Sequence, residues 1–136
     1  MAESAAVVLD TSAVLALRSN EGGANRVETL LRAGRSGRVR VLVSFMTRME
    51  MLYRITSEEG LEPAESAVRL LDAAGVEWVS CEPAILREAA RVKVGGGLSV
   101  ADAWIAATAA VRHATLIHKD AEFARARHVR QERLRG

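Results

Sequence analysis

The sequence predicts an α/β fold of three layers, with helices on both faces of a parallel sheet of four or five strands. Four short apolar runs, near residues 6–10, 41–43, 76–80 and 115–118, have the length of buried strands. The segments between them repeat apolar residues at helical spacing. Strands that alternate with helices pair in parallel through right-handed crossovers, and this connection predicts helices on both faces of the sheet.

Length and composition fit one domain, residues 1–136. A chain of 136 residues buries roughly two-thirds of the surface that its unfolded form exposes. Hydrophobic residues make up 49% of the chain and aromatic residues only 4%, so we expect an aliphatic core and no aromatic platforms for base stacking. No segment has the apolar length of a membrane span, the start lacks a signal-peptide pattern, and the single Cys81 forms no internal disulfide. We therefore expect a cytoplasmic protein.

The first half of the chain contains two strands, and each leads to an acidic residue. The first apolar run ends at Asp10, which opens the amphipathic stretch 11–18. The second run leads directly into a helical pattern over 44–56, which carries Glu50 one turn from its start.

The second half repeats this arrangement. A helical stretch, 99–112, has Asp102 in its first turn, and the last strand is followed within a few residues by Asp120. A short helix and a basic tail complete the predicted order. The glycine-rich breaks are too short to divide the chain into domains; they lie at 22–23, 34–37, 60–63 and 95–97.

We expect the four acids to meet in space, because the carboxyl ends of parallel strands and the N-termini of the following helices share one edge of the sheet. Carboxylates held close together repel one another unless a cation binds or one of them is protonated. Oxygen ligands favour Mg²⁺ or Mn²⁺ over zinc. Such an ion accepts phosphate oxygens and activates water, so the predicted chemistry is phosphodiester hydrolysis.

Helix capping is the alternative explanation of the same acids. Ser99-x-x-Asp102 and Thr47-x-x-Glu50 match a capping box, and Asp120 precedes a short helical segment that it can cap. An acid at a helix N-terminus is stabilised as the anion that a metal requires, so the two roles are compatible. Taken together, the four positions favour a site.

Four blocks of the sequence resemble, in order, those of the PIN domain family: 8–16, 47–53, 98–109 and 116–123. The resemblance implies a small metal-dependent ribonuclease, most like the VapC-type toxins of bacterial toxin–antitoxin pairs. It also implies that Asp10, Glu50, Asp102 and Asp120 bind one or two Mg²⁺ or Mn²⁺ ions. The fourth block departs from the family pattern, since threonine or serine is common where His118 stands.

The resemblance further implies an RNA substrate, a cognate antitoxin laid in a groove near the site, and a homodimer. The hydroxyl of Thr11 or Ser12 is expected to hold a carboxylate or a metal-bound water through a hydrogen bond, although either residue can simply cap the first helix. A wide apolar face over 64–74 predicts that this helix contacts a partner.

Basic residues are unevenly placed, although the net charge is only +2. An acid-free run is predicted to bind RNA phosphates, because arginine forks match phosphate oxygens; it consists of Arg32, Arg35, Arg38 and Arg40. A second group lies in the C-terminal tail, 125–135, where phosphate binding and a solvated, arginine-biased surface are equally supported. An acidic segment of an antitoxin is another partner for the same side chains.

Other functions fit less well. A phosphatase of the haloacid-dehalogenase type needs a second Asp where Ser12 stands, and a receiver-like regulatory domain needs an Asp after the strand that ends at Val43. A catalytically silent PIN-like module that binds RNA or protein stays open. The RNA target is not encoded in any pattern of the chain.

Overall fold

The computed structural model describes residues 5–136 and contains a five-stranded sheet with six helices. The strands are β1 (Ala5–Leu9), β2 (Val39–Ser44), β3 (Glu77–Val79), β4 (Thr115–His118) and β5 (Gln131–Arg133). The α-helices are α1 (Thr11–Arg18), α2 (Ala24–Arg35), α3 (Phe45–Glu59), α4 (Leu61–Ala73), α5 (Pro83–Val94) and α6 (Val100–Val111), and a short 3₁₀ helix spans Ala121–Arg125.

All neighbouring strands are parallel, in the order β3-β2-β1-β4-β5. The chain builds the sheet outwards from β1 on one side through β2 and β3, then crosses to the other side for β4 and β5. The strand order therefore reverses between β1 and β4, and in open α/β sheets such a switch point is where ligands bind. The predicted fold class is confirmed.

The core consists of two layers, one on each face of the sheet. Side chains of β1 alternate between them, with Val7 and Leu9 in one layer and Val8 in the other. The first layer packs against α1, α2 and α4, through residues such as Val27. The second layer packs mainly against α5 and α6, so the sheet is covered on both faces.

The tail departs from the predicted order. Residues expected to be an irregular basic tail form β5, whose Gln131 and Arg133 pair with Leu116 and His118 of β4. The strand has no apolar residue of its own, so it gives no hydrophobic pattern; buried Val129 and Leu134 flank it. Cys81 is exposed after β3. Within residues 5–136, no helix combines the length and the apolar character that a membrane crossing needs.

Candidate active site

Asp10 lies at the switch point, immediately after β1. It is only 2% exposed and caps the N-terminus of α1, where its carboxylate accepts hydrogen bonds from the Ser12 amide, at 3.1 Å, and from the Ser12 hydroxyl. Burial raises the pKa of Asp10 from 3.8 to about 6, against the lowering effect of the Ser12 hydrogen bonds. The folded chain therefore holds this acid in surroundings that disfavour its charge.

Ser12 joins the ends of the two central strands. Its hydroxyl donates to Asp10 and accepts from the backbone N–H of Lys119, at 2.8 Å, just after β4. The backbone N–H of Asp10 also donates to the carbonyl of Ile117, at 2.9 Å. These bonds fix the first acid relative to the segment that carries Asp120.

Glu50 lies one turn into α3, as predicted, and the buried Thr11 holds it. Thr11 Oγ1 donates to Glu50 Oε1 at 2.6 Å and lies 3.0 Å from Thr47 Oγ1. Because Thr11 has a single hydroxyl proton, Thr47 is the donor in the second pair. The predicted capping box is wrong here: Ser44 caps α3 by accepting from the Met46 amide, while Thr47 takes part in the hydroxyl network.

Asp102 is buried in the first turn of α6. The predicted cap is confirmed, since the Ser99 hydroxyl accepts from the Asp102 amide at 3.1 Å. Burial raises the pKa of Asp102 to about 8; the charge of Asp10, a hydrogen bond to Glu122, and the charges of Asp120 and Glu50 also raise it. The other three predicted acids therefore lie close enough to Asp102 to raise its pKa.

Asp120 and Glu122 complete the cluster. Asp120 caps the 3₁₀ helix by accepting from the Glu122 amide at 2.9 Å, which confirms the predicted capping role. One carboxylate oxygen from each of Asp102, Asp120 and Glu122 lies within 4.8 Å of the others. Sequence reasoning missed Glu122; the only signal was its position two residues after Asp120, inside the cap.

His118 supports the segment that carries Asp120. Its Nδ1 accepts from the Asp120 amide at 3.1 Å, so its Nε2 carries the proton and donates to Gln131 Oε1 at 3.0 Å. Gln131 Nε2 donates to the carbonyls of Phe123 and Ala126, which leaves its oxygen facing the histidine. Burial lowers the pKa of His118, so the ring is neutral at pH 7.

The cluster carries negative charge with no basic partner. None of its five carboxyl groups forms an ion pair with another side chain in residues 5–136, although nine such pairs are present elsewhere. Its ligand atoms are all oxygens, which is the donor set that Mg²⁺ and Mn²⁺ prefer. Side chains of this composition, at this density and burial, fit a divalent cation.

The predicted RNA-binding arginines lie elsewhere. Arg40 pairs in register with Ala6 at the start of β1, whereas the acids follow the ends of the strands. The arginine run therefore lies at the amino-terminal ends of the strands, whereas the cluster lies at their carboxyl ends. Two of its members are paired with acids, Arg32 with Glu28 and Arg40 with Glu77.

The fold and the site define a three-layer α/β protein with a carboxylate cluster at its switch point. A family model described as the PIN domain matches residues 7–129, and the chain belongs to this family. PIN-domain proteins are generally nucleases that use divalent metal ions. The resemblance of the four sequence blocks is thereby confirmed.

Solved structures from toxin–antitoxin systems have the same fold. A chain of VapBC2 from Rickettsia felis, bound to a promoter DNA fragment, is 17% identical with a TM-score of 0.77, covering 96% of this chain and 99% of that one. A chain of VapBC-1 from nontypeable Haemophilus influenzae is 25% identical with a TM-score of 0.73, covering 94% and 97%. A chain of VapBC-5 from Mycobacterium tuberculosis is 24% identical with a TM-score of 0.66, covering 97% and 99%. No curated protein sequence matches the chain.

Proposed function

We propose that this chain is a metal-dependent endoribonuclease that hydrolyses RNA phosphodiester bonds and is the toxin of a toxin–antitoxin pair. It acts in the cytoplasm as a single domain. The observation that carries the proposal is the cluster of five carboxyl groups without a basic partner at the switch point of a PIN-family fold. A protein does not hold so many acids together for stability, because they repel.

Mg²⁺ or Mn²⁺ is the proposed cofactor, held by Asp10, Glu50, Asp102 and Asp120, with Glu122 as an added oxygen ligand. Bound there, the ion would supply Lewis-acid chemistry, lowering the pKa of water and offsetting negative charge on the phosphate. Histidine and cysteine are absent from the proposed ligand set, which argues against zinc.

The protein's own contribution is positioning. Ser12 fixes Asp10 with two hydrogen bonds, and Thr11 fixes Glu50 with one. Glu122 lies beside Asp102, and its proximity favours the protonated form of Asp102 until a cation binds. Together these contacts hold the ligand oxygens in place before substrate arrives, which lowers the cost of ordering the site.

We assign the antitoxin to an apolar groove between α1, α2, α3 and α4. Val14, Leu31, Met51 and Leu71 line this groove, and Leu70 at its margin is 71% exposed. The groove lies between helices that also carry two of the acids, since Asp10 caps α1 and Glu50 belongs to α3. The VapBC neighbours support a protein partner, and the groove suits the apolar face of a helix.

We assign the homodimer contact to the outer face of α5 and α6. Leu86, Val94 and Val100 are each more than half exposed there, around a shallow apolar depression that includes Trp104. Exposed apolar side chains grouped in this way mark protein–protein contacts. The antitoxin groove and this face lie on opposite sides of the sheet, so both partners can bind at once.

Purified Asp10→Asn and Asp102→Asn variants test the nuclease. Each substitution preserves side-chain size and removes one carboxylate, so RNA cleavage with Mg²⁺ or Mn²⁺ should be lost while the far-ultraviolet circular dichroism spectrum is unchanged. Glu58→Gln is the matched control, because Glu58 is exposed on α3 and outside the cluster. Full cleavage by either aspartate variant contradicts the site. Tight RNA binding without cleavage by the metal-loaded wild type would instead identify a silent binding module.

A further inference from the structure

An open cavity whose wall includes Lys119, the residue before Asp120, takes no part in the site described above. Its volume is about 930 Å³, and it lies between the start of α2 at Gly23 and the segment that includes β5. Its walls include Arg26, Lys119, Arg133 and Arg135. Four basic side chains therefore surround one space.

One of these four basic residues is paired with an acidic side chain. Arg26 is engaged with Glu132, which also lines the cavity, through hydrogen bonds of 2.8 and 3.0 Å. Lys119, Arg133 and Arg135 form no ion pair with any acid in the described chain. The cavity thus presents three cations after its one acidic side chain has been paired, and such a concave basic surface attracts polyanions.

Lys119 connects the cavity to the cluster. Its side chain lines the cavity, while its backbone N–H donates to the Ser12 hydroxyl that holds Asp10. The next residue is Asp120. Lys119 thus belongs both to the cavity wall and, through its backbone, to the network that fixes Asp10, so a polyanion bound at the cluster would extend its backbone towards this cavity.

We propose that this cavity binds the phosphate backbone of the RNA next to the phosphate that is cut. The proposal rests on the proposed ribonuclease function and adds to it the surface that grips the substrate. Arginine forks bind phosphate oxygens in pairs, and lysine binds them as a point charge. Contacts of this kind position the strand without reading its bases. Arg133 of β5 and Arg135 just after it, rather than the arginine run that begins at Arg32, then grip the RNA next to the cleaved phosphate.

The experiment measures RNA affinity against salt concentration, with all proteins carrying Asp10→Asn to prevent cleavage. The test protein adds Arg133→Gln and Arg135→Gln, and a second test protein adds Lys119→Gln. The control adds Arg54→Gln and Arg87→Gln, which remove the same charge from exposed positions that do not line the cavity. Each lost phosphate contact should lower the slope of log affinity against log salt by about 0.7 for single-stranded RNA, so the arginine pair should lower it by about 1.4.

Equal slopes of log affinity against log salt in the test and control proteins would overturn the cavity assignment. The assignment would also fail if the test proteins bound RNA normally but no longer bound the antitoxin or DNA. Cleavage of RNA by the wild type, measured alongside, separates the two proposals. If the wild type cuts RNA and the slopes are equal, only the cavity assignment fails; if it neither binds nor cuts RNA, both fail. If the Arg133→Gln and Arg135→Gln protein does not fold, the Lys119→Gln protein still tests the cavity, because the Lys119 side chain forms no described hydrogen bond whose loss would unfold the chain.

Discussion

Raising the pH should destabilise the metal-free protein, because two buried carboxyl groups must lose their protons. The pKa of Asp10 is raised to about 6 and that of Asp102 to about 8. The folded chain therefore holds these protons more tightly than the unfolded chain does. Their contribution to stability is complete below pH about 4 and is lost as the pH rises through about 6 for Asp10 and about 8 for Asp102.

The size of the effect follows from Asp10. The difference between 3.8 and about 6 corresponds to about 3 kcal/mol of unfolding free energy, all of it lost by pH 8. Asp10→Asn removes the charge and retains an oxygen that can accept both Ser12 hydrogen bonds. The variant should therefore be more stable than the wild type by up to about 3 kcal/mol at pH 8, and the difference should shrink towards pH 4.

Urea unfolding at several pH values, with a chelator present, measures this difference. Glu58→Gln serves as the control and should follow the wild type. Below pH about 4.5 a second effect appears, because Glu59, Glu77, Glu88 and Glu132 have pKa values lowered by arginine partners and stabilise the fold only while ionised. A difference between Asp10→Asn and the wild type that stayed constant from pH 4 to pH 8 would refute the argument from burial.

Three further outcomes are expected. Binding of Mg²⁺ or Mn²⁺ at pH 7 should release protons, because the raised pKa of Asp102 keeps that group largely protonated. Calorimetry of metal binding in two buffers with different ionisation heats measures this release, and identical binding heats in the two buffers would count against a ligand role for Asp102. Leu70→Asp should abolish antitoxin binding in a pull-down and leave RNA cleavage unchanged, because Leu70 lines the apolar groove but not the carboxylate cluster. If the Leu70→Asp protein still bound the antitoxin, the antitoxin would occupy another surface. Replacing Arg32, Arg35, Arg38 and Arg40 together by Gln should weaken binding of a long RNA and spare binding of a short one, because the run lies at the amino-terminal ends of the strands, away from the carboxylate cluster. Fluorescence anisotropy measures both affinities, and an equal loss for both RNA lengths would mean that these arginines contact the cleavage region.

Three of the four acids were predictable because each one lies at the start of a helix or the end of a strand in the sequence pattern, whereas Glu50 lies inside α3. Asp10 and Asp120 follow apolar runs, and Asp102 follows a serine cap. The parallel sheet then brings these boundaries to one edge, since every strand runs in the same direction. Local pattern and the topology rule together were sufficient to bring distant residues into one cluster.

The rest depended on contacts that leave no periodic signal. β5 has the sequence Gln131-Glu132-Arg133, and backbone hydrogen bonds beside it secure it, from Leu116 N–H to the Arg130 carbonyl and from Leu134 N–H to the His118 carbonyl. Glu122 joins the cluster only because a 3₁₀ turn bends it back towards Asp102. The basic cavity required β5, since this strand brings Arg133 to the same cavity wall as Lys119.

Capping alone does not explain why an acid stands at Asp10, because burial of the charge opposes the gain from the cap hydrogen bonds. Hydrogen bonds to the carboxylate anion stabilise an aspartate that caps a helix, and the bonds from Ser12 do lower the pKa of Asp10. Burial nevertheless outweighs them, and the pKa rises to about 6. Asparagine or serine would cap α1 in the same buried position without this cost. A charged side chain is therefore a poor choice for stability alone, and its presence follows directly if a cation completes the site and restores the energy lost on burial.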